Sequence, residues 1–377
     1  MSSAAASAAI APILERALAG HELSSDEIAT LLAVDEPAAA ADLCAAASEL
    51  RRRRFGDAVF LYGFVYFSTY CRNDCTFCLY RRSNREGPRY RKSLDEVVAI
   101  SVGLAESGVH LIDLTMGEDP RYREGREYDA FLALVVAVRA ATGLPVMASP
   151  GVLGGGALAA LAATGAEWYA CYQETHARDL YDRLRVGQDF DRRAQARLDA
   201  AALGMLVEDG MLLGVGETVA ERALTVAGMR AEPVDQVRVM TFVPQRGTPL
   251  AHLRPADRLG ELVTIASMRL AMPDRLIPAS LDVDGIAGLE SRIAAGANVV
   301  TSLVPPHSGL AGVSQSELDI DEGLRTAPVV VERLAQAGLR AASAADYAAW
   351  VAATRGRRTA AGDAAGGDGA AAGERSA

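Results

Sequence analysis

The chain has 377 residues, of which 50% are hydrophobic and 23% are charged, and this composition excludes a protein that is disordered throughout. Its formal net charge of −10 argues against a protein that works mainly by binding nucleic-acid phosphates or anionic membranes. The length accommodates two domains of about 150 residues, or one (β/α)₈ barrel of about 250 residues with extensions.

Cysteine usage and the N-terminus indicate a soluble cytoplasmic protein. Three of the five cysteines cluster at 71–78, while Cys44 and Cys171 stand alone, which is not the pattern of a disulfide scaffold. The N-terminus lacks a basic leading region, and Glu15 and Arg16 interrupt its apolar run, so it makes a poor signal peptide. No apolar run approaches the roughly 18 residues that a membrane span requires. We therefore expect no membrane and no nucleic-acid partner.

Residues 1–55 are predicted to form helices that precede the main domain. A first helix ends at Gly20, and a second begins at the N-cap Ser24. A third, Ala-rich helix covers residues 37–54. Its run of four arginines, 51–54, is typical of a solvated helix end, with a binding patch as the alternative.

Residues 56–350 alternate between strand-like and helical patterns. The predicted strands are 59–67, 109–115, 144–149, 167–172, 211–215, 236–242, 275–279 and 297–303. Repeated strand–helix alternation implies parallel strands, and eight such units indicate a closed (β/α)₈ TIM-type barrel, with an open doubly wound sheet as the rival. Beyond residue 350 the composition is mainly Ala, Gly, Arg and Asp, so residues 351–377 are predicted to be a disordered tail.

Cys71, Cys75 and Cys78 follow the first predicted strand with the spacing C-x₃-C-x₂-C. Barrel active sites are built from the loops at this end of the strands. Three thiolates so close together can bind three irons of a [4Fe–4S] cluster and, with no fourth cysteine nearby, leave one iron open for a ligand. A zinc site is the alternative, and it would need a fourth protein ligand from elsewhere in the chain.

With the aromatic Phe77 before its last cysteine, this motif resembles that of the radical S-adenosylmethionine (SAM) superfamily. The resemblance implies that the amino and carboxylate groups of SAM bind the open iron. It further implies that an electron from the reduced cluster cleaves SAM to a 5′-deoxyadenosyl radical, so that an electron donor such as a flavodoxin or ferredoxin is needed.

Segments over residues 58–305, among them LYGFVYFSTYCRNDCTFCLYRRSN, GVHLIDLTMGEDP and VRVMTFVPQRGTPL, resemble the methylornithine synthase family of pyrrolysine biosynthesis. The N-terminal helices resemble those of biotin synthase and its relatives. These resemblances imply a mutase that converts L-lysine to (3R)-3-methyl-D-ornithine by hydrogen abstraction, fragmentation of the carbon skeleton and recombination.

The resemblance also implies a set of SAM-binding residues. Glu118 follows strand two in a segment similar to the Gly-Gly-Glu-like edge that holds the methionyl ammonium. Glu174 follows strand four in an element similar to that of the biotin-synthase-like group, where it serves the ribose or ammonium side. Arg193 matches the arginine that binds the SAM carboxylate, and Ser149 is a further candidate donor. For each of them an ordinary structural role is the alternative.

An amino acid such as lysine needs a cation for its carboxylate and anions for its two ammonium groups. Asp113 and Arg238 lie inside apolar strands, where an unpaired charge is costly, so both are predicted to face a polar interior. We expect Arg238 to bind the carboxylate and Asp113 an ammonium group. Four further candidates end strands seven and eight, with Asp282 as the second ammonium partner: Ser280, Asp282, Thr301 and Ser302.

Two other functions remain compatible with the sequence. A hydrogenase-maturation-like or biotin-synthase-like radical enzyme would act on a different small substrate, although the lack of a second cluster-like set of cysteines disfavours biotin synthase itself. This alternative gains support if Asp113, Arg238 and Asp282 do not converge on one cavity of amino-acid size. A zinc-stabilised scaffold without catalytic function is the other alternative.

Overall fold

The computed structural model describes residues 3–123, 125–255, 257–312 and 324–370. The chain divides into two compact units, Met1–Ala341 and Ala342–Ala377. The first unit contains the N-terminal helices and the barrel, and the second contains the C-terminal helix. None of the helices in the described ranges combines the length and the apolar character that crossing a bilayer requires.

Three helices precede the barrel, namely α1 (Ser3–Leu18), α2 (Ser25–Leu32) and α3 (Pro37–Phe55). Helix α2 begins where the sequence predicts it, because the Ser24 hydroxyl accepts the Glu27 N–H at 3.1 Å and the Glu27 carboxylate accepts the Ser24 N–H at 2.7 Å. The apolar faces of all three helices belong to the same core cluster as the outward-facing residues of the barrel strands. The helices therefore extend the core of the barrel.

Eight strands form the barrel. They are β1 (Ala58–Ser68), β2 (Leu111–Met116), β3 (Val146–Ser149), β4 (Trp168–Ala170), β5 (Leu206–Leu213), β6 (Gln236–Thr241), β7 (Pro278–Ser280) and β8 (Val299–Leu303). Neighbouring strands are parallel, in the order β6-β5-β4-β3-β2-β1-β8-β7. Between the two ends of this order, Val237 N–H donates to the Leu276 carbonyl and Leu276 N–H donates to the Asp235 carbonyl, both at 2.9 Å. The predicted (β/α)₈ barrel is confirmed.

Helices cover the outside of the barrel between its strands. They are α4 (Leu94–Glu106), α5 (Gly125–Thr142), α6 (Gly155–Ala163), α7 (Arg178–Leu184), α8 (Phe190–Ala202), α9 (Val219–Ala231), α10 (Arg258–Ala271) and α11 (Leu289–Ala294), followed after β8 by α12 (Ala327–Gln336). Short 3₁₀ helices occupy Pro120–Tyr122 and Gly285–Gly288. Helix α7 was not predicted, since its seven residues are too few to show a helical apolar period.

Side chains alternate between the two faces of the barrel wall. In β2, Ile112 and Leu114 join the outer core cluster, whereas Asp113 between them turns to the interior. In β6, Val237 and Val239 likewise join the outer core, and Arg238 turns inward. A charged residue inside an apolar strand therefore marks the interior face, as the sequence predicts.

Strand β5 begins earlier than predicted, at Leu206 rather than near residue 211. Glu208 and Asp209 interrupt the apolar pattern of its first half, and both are fully buried. Glu208 faces the barrel interior, while Asp209 contacts Arg197 and His176 outside it. The misplaced boundary hid Glu208 from the prediction of interior residues.

The C-terminal region follows the last barrel helix with one short strand and one helix. After the short strand β9 (Arg340–Ala341), which pairs with β1, helix α13 runs over Ala344–Ala370. Alanine has the highest helix propensity of all residues, and this favours helix α13. The disordered tail expected over residues 351–377 stays a prediction. Residues 371–377 lie outside the described ranges.

Candidate active site

A cavity of about 1310 Å³, including its open mouth, lies where the barrel strands end at their carboxyl termini. Eleven of the predicted site residues line it: Cys71, Cys75, Phe77, Cys78, Glu118, Ser149, Glu174, Arg193, Arg238, Ser280 and Asp282. The other three contact lining residues, since Asp113 accepts the Ser149 hydroxyl, Thr301 accepts Arg238, and Ser302 donates to Asp282. The structure thus brings all the predicted residues to one site.

The three predicted cluster ligands lie in the loop that follows β1 and face this cavity. Within the described ranges, no three or more His, Cys, Asp or Glu side chains form a group that could hold one metal ion. A [4Fe–4S] cluster makes a different demand, because each thiolate binds its own iron and the sulfurs need not converge on a point. Three thiols around an open cavity fit that demand.

Burial opposes ionisation of the Cys71 and Cys78 thiols unless positive charge is present. Burial, followed by repulsion from Cys75, raises the pKa of the Cys71 thiol to about 11, even though the Asn73 N–H favours the thiolate. Burial also raises the pKa of the Cys78 thiol well above its usual range. Cluster irons supply the positive charge that keeps coordinating thiols deprotonated. The donor set therefore suits an iron–sulfur cluster.

Arg89 holds the cysteine loop together through the backbone. Its guanidinium donates to the carbonyl oxygens of Tyr80 at 3.0 Å, Arg81 at 2.6 Å and Asn84 at 2.9 Å, and also to that of Thr69. A carbonyl before the first cysteine and three carbonyls after the last one thus meet at one side chain. Arg89 is a positioning residue that the sequence analysis missed, because a lone loop arginine carries no visible signal.

Glu118 is buried among arginines beside the cysteine loop. Its carboxylate pairs with Arg193 at 2.7 Å and with Arg72 at 3.1 Å, and it accepts the Val152 N–H at 3.1 Å. Burial alone would raise the pKa of Glu118, but Arg193 and its other partners outweigh that effect and lower it to about 2. Gly151 leaves the space for this side chain, since a Cβ there would lie 2.1 Å from Glu118 Cγ.

Arg193 and Glu174 line the cavity, and each has one buried polar atom that makes no hydrogen bond within the described part of the chain. Arg193 Nε and Glu174 Oε2 have no hydrogen-bond partner among the described residues. The remaining atoms of Arg193 contact Glu118, Gln188 and the Cys171 sulfur, while Glu174 pairs with Arg185 at 2.5 Å. Buried unpaired donors and acceptors are costly, so these atoms fit a polar ligand such as SAM.

Arg238 spans the interior between β5 and β8. Its Nε donates to Glu208 at 2.7 Å and its Nη1 to the Thr301 hydroxyl at 3.0 Å, whereas Nη2 has no partner in the described part of the chain. Glu208 also accepts the Tyr172 hydroxyl at 2.9 Å and the Gln236 amide at 2.7 Å. One guanidinium donor thus remains available for an anionic ligand.

Asp113 is fully buried on the interior face of β2. Its Oδ1 accepts the hydroxyls of Ser149 and Thr115, both at 2.9 Å, and its Oδ2 has no partner among the described residues. Burial and repulsion from Glu208 raise the pKa of Asp113 to about 7, against the attraction of Arg238. Ser149, predicted as a donor to the cofactor, therefore lies with Asp113.

Asp282 is the centre of a second polar group at the ends of β7 and β8. It pairs with Arg325 and accepts the hydroxyls of Ser302 at 2.7 Å, Tyr66 at 3.1 Å and Ser280 at 3.1 Å. Burial works against the ionised form, but Arg325 and Ser302 lower the pKa of Asp282. Asp282 is thus an ionised carboxylate within the site.

Two site residues have strained backbones. Glu174 has φ of 70° and Ser302 has φ of 65°, in the left-handed region that favours glycine. At Ser302 this conformation lets two consecutive side chains face the barrel interior, because Thr301 contacts Arg238 there and Ser302 contacts Asp282. Strain of this kind persists where the surrounding structure holds it, which is typical of functional sites.

Several residues of the site were not predicted. Glu208 escaped because the start of β5 was misplaced, although its charge inside an apolar run was a usable signal. Arg325 lies beyond the last barrel strand, and nothing in its sequence neighbourhood points to Asp282. Gln188 donates to the Cys75 sulfur at 3.0 Å, a contact that only the fold creates.

Comparison with known proteins decides the family. The Radical SAM superfamily profile matches residues 65–227. The chain is also 44% identical over 335 residues to the 3-methylornithine synthase of Methanosarcina barkeri, which covers 89% of this chain and 95% of that protein. The chain belongs to the 3-methylornithine synthase family of the radical SAM superfamily. The resemblance seen in the sequence is confirmed.

The fold and more distant relatives agree with this membership. A crystal structure of methylornithine synthase (PylB) superposes with a TM-score of 0.85 at 43% identity, covering 89% of this chain and 99% of that one. The [FeFe] hydrogenase maturase subunit HydE of Thermotoga maritima is 28% identical over 291 residues, covering 76% of this chain and 82% of that protein. The family makes this chain an isomerase-type enzyme with a [4Fe–4S] cluster and SAM as cofactors. The zinc scaffold is thereby excluded.

We predict that Arg89→Ala lowers cluster affinity about 10- to 100-fold, as the loss of residues that orient metal ligands does. Iron and sulfide contents after anaerobic reconstitution with limiting iron measure this, and far-ultraviolet circular dichroism verifies the helix content. Arg82→Ala is the matched control, because Arg82 belongs to the same loop but is 69% exposed. Equal iron contents in the two variants would contradict the positioning role of Arg89.

Proposed function

We propose that this enzyme converts L-lysine to (3R)-3-methyl-D-ornithine. The close relative named 3-methylornithine synthase supports this, because the match covers 95% of its length. The single observation that carries the proposal is the set of charged groups at the cavity, where Arg238 and Asp282 line the space and the buried Asp113 contacts the lining residue Ser149. An amino acid with a second ammonium group complements that set.

The charged groups suit the two ends of lysine. Arg238 binds the carboxylate through its free Nη2, while Asp113 and Asp282 each bind an ammonium group. The hydroxyls of Ser280, Ser302 and Thr301 support this arrangement, through Asp282 and Arg238 respectively. Held in this way, the lysine side chain keeps one orientation during fragmentation and recombination.

The cofactor side of the cavity is equally defined. Cys71, Cys75 and Cys78 hold the cluster, Arg193 binds the SAM carboxylate and Glu174 its ribose or ammonium side. Glu118 orients Arg193 through their ion pair, and Phe77 lines the same wall. When bound, the reduced cluster and SAM supply a radical that removes a hydrogen atom from the substrate. The chain's part is to orient both molecules and to exclude water from the barrel interior.

The electron for the cluster comes, we propose, from a small electron-transfer protein such as a flavodoxin or ferredoxin. The chemistry of the family supports this, because the cleavage of SAM takes an electron from the cluster. The cluster has to be reduced again whenever SAM is cleaved and not re-formed.

A maturase-like activity on another substrate is the competing function, and the similarity of the chain to HydE supports it. The geometry favours lysine over it. Arg238 and Asp282 line one cavity, Asp113 contacts the lining Ser149, and both carboxyl groups interact electrostatically with Arg238. Convergence of these three residues is the condition under which an amino-acid substrate is expected.

We predict that the reconstituted enzyme forms methylornithine from L-lysine, SAM and reductant. We also predict that Arg238→Gln raises KM for lysine about 10- to 100-fold, because a hydrogen bond to a charged group is worth roughly 1.5–3 kcal/mol. Product is measured by mass spectrometry after anaerobic incubation. Arg52→Gln is the control, because Arg52 is 65% exposed, pairs with Glu49 and does not line the cavity.

The variant Arg238→Gln leaves the buried Glu208 without its ion-pair partner, so the double variant Arg238→Gln/Glu208→Gln tests whether the rise in KM reflects impaired folding. It should fold at least as well and bind lysine no better. Cleavage of SAM without any methylornithine from the wild type would reject lysine as the substrate, and an unchanged KM in Arg238→Gln would reject the carboxylate role.

We predict that kcat/KM for lysine rises as pH increases through about 7. Asp113 holds its proton below that pH because its pKa is raised to about 7, and only the ionised form pairs with an ammonium group. Removing the neighbouring negative charge with Glu208→Gln lowers the pKa of Asp113 and moves the rise to lower pH. Asp113→Asn should be slow and should lack this rise.

The pH–rate profiles of the wild type and both variants, measured with saturating SAM and reductant, check this. A wild-type profile that is flat from about pH 6 to pH 8 would contradict the role of Asp113. A shift of the rise to higher pH in Glu208→Gln would contradict the coupling between the two carboxyl groups.

A further inference from the structure

A second cavity, of about 540 Å³ including its mouth, lies between helices α3, α11 and α12. It shares no lining residue with the active-site cavity. Most of its wall is apolar: Leu289, Ile293, Ala294, Leu334, Ala337 and Leu339.

One charged side chain in this wall is buried without compensation. Arg51, from the four-arginine run at the end of α3, is only 4% exposed, and its Nε and Nη1 have no hydrogen-bond partner among the described residues. Burial lowers the pKa of Arg51. Arg52 and Arg53 behave differently, since both pair with Glu49 on the helix surface. The run is thus a solvated helix end at its last three positions and a buried cation at the first.

The surrounding charges do not neutralise Arg51. Arg333 and Glu290 line the same cavity, but they pair with each other at 3.4 Å and are about half exposed. Asp57 attracts the Arg51 charge, yet its carboxylate pairs with Arg340 at 3.0 Å. Among the described residues, the positive charge of Arg51 therefore has no ion-pair partner, and leaving it buried beside empty apolar space is costly.

We propose that this cavity binds a small organic carboxylate, whose anionic group accepts hydrogen bonds from Arg51 and whose apolar body packs on Leu289, Ile293 and Leu334. A single cation favours a single negative charge, and the apolar wall favours a hydrocarbon body over a fully hydrated ion such as phosphate. The site lies apart from the SAM and lysine cavity and does not depend on the proposed function.

Binding of hexanoate to the holoenzyme tests the proposal by isothermal titration calorimetry. The experiment is run with SAM and L-lysine at saturation, so that binding in the active site is blocked. We expect saturable binding of hexanoate, at least tenfold weaker binding of hexanamide and of inorganic phosphate, and a matching rise of Tm with hexanoate.

Two variants separate the site from general effects. Arg51→Met keeps a long side chain and removes the charge, and it should weaken hexanoate binding at least tenfold without lowering Tm of the unliganded protein, because no ion pair is lost. Leu334→Trp fills the cavity while leaving Arg51 in place, and it should weaken binding as well. No binding to the wild type, equal binding of hexanamide, tighter binding of phosphate, or unchanged binding in Arg51→Met would each overturn the proposal.

Discussion

The alternation of side chains along parallel strands is the constraint on which the site depends. Each strand sends one set of residues to the helices outside and the other to the barrel interior. Ile112 and Leu114 therefore pack in the outer core, while Asp113 between them cannot avoid the interior. Charges that point inward are cut off from water, so they are stable only when they pair with one another or with a ligand. The alternation that forms the barrel therefore also places the charged residues of the binding site in its interior.

The charged groups of the barrel interior have an excess of one negative charge. On the proposed substrate side of the cavity there are three carboxyl groups, the fully buried Asp113 and Glu208 and the partly buried Asp282. They face two guanidinium groups, Arg238 and Arg325. With all of these groups ionised, the negative charges outnumber the positive charges by one. Lysine has two ammonium groups and one carboxylate and so brings one positive charge. Burial, followed by repulsion from Glu208, raises the pKa of Asp113 to about 7, so a proton can supply the missing positive charge when no such ligand is bound.

Prediction from the sequence succeeded where a local pattern forces the outcome. The spacing of Cys71, Cys75 and Cys78 and the position of Asp113 and Arg238 inside apolar strands are such patterns, and they led to the barrel, the cofactors and the shared cavity. It failed where the partner is chosen by the tertiary fold. Glu208 was missed because it depended on the start of a strand, and Arg325 was missed because it lies on a segment after the barrel.

The most direct test of this account is the number of protons released when L-lysine binds to the holoenzyme with SAM present. Calorimetric titrations at about pH 6.5, in buffers that differ in ionisation enthalpy, measure that number. If the ammonium of lysine replaces the proton on Asp113, a substantial fraction of one proton is released in the wild type and none in Asp113→Asn. Lysine binding without proton release, or with proton uptake, would contradict the claim that an unbalanced interior carboxylate recognises the substrate.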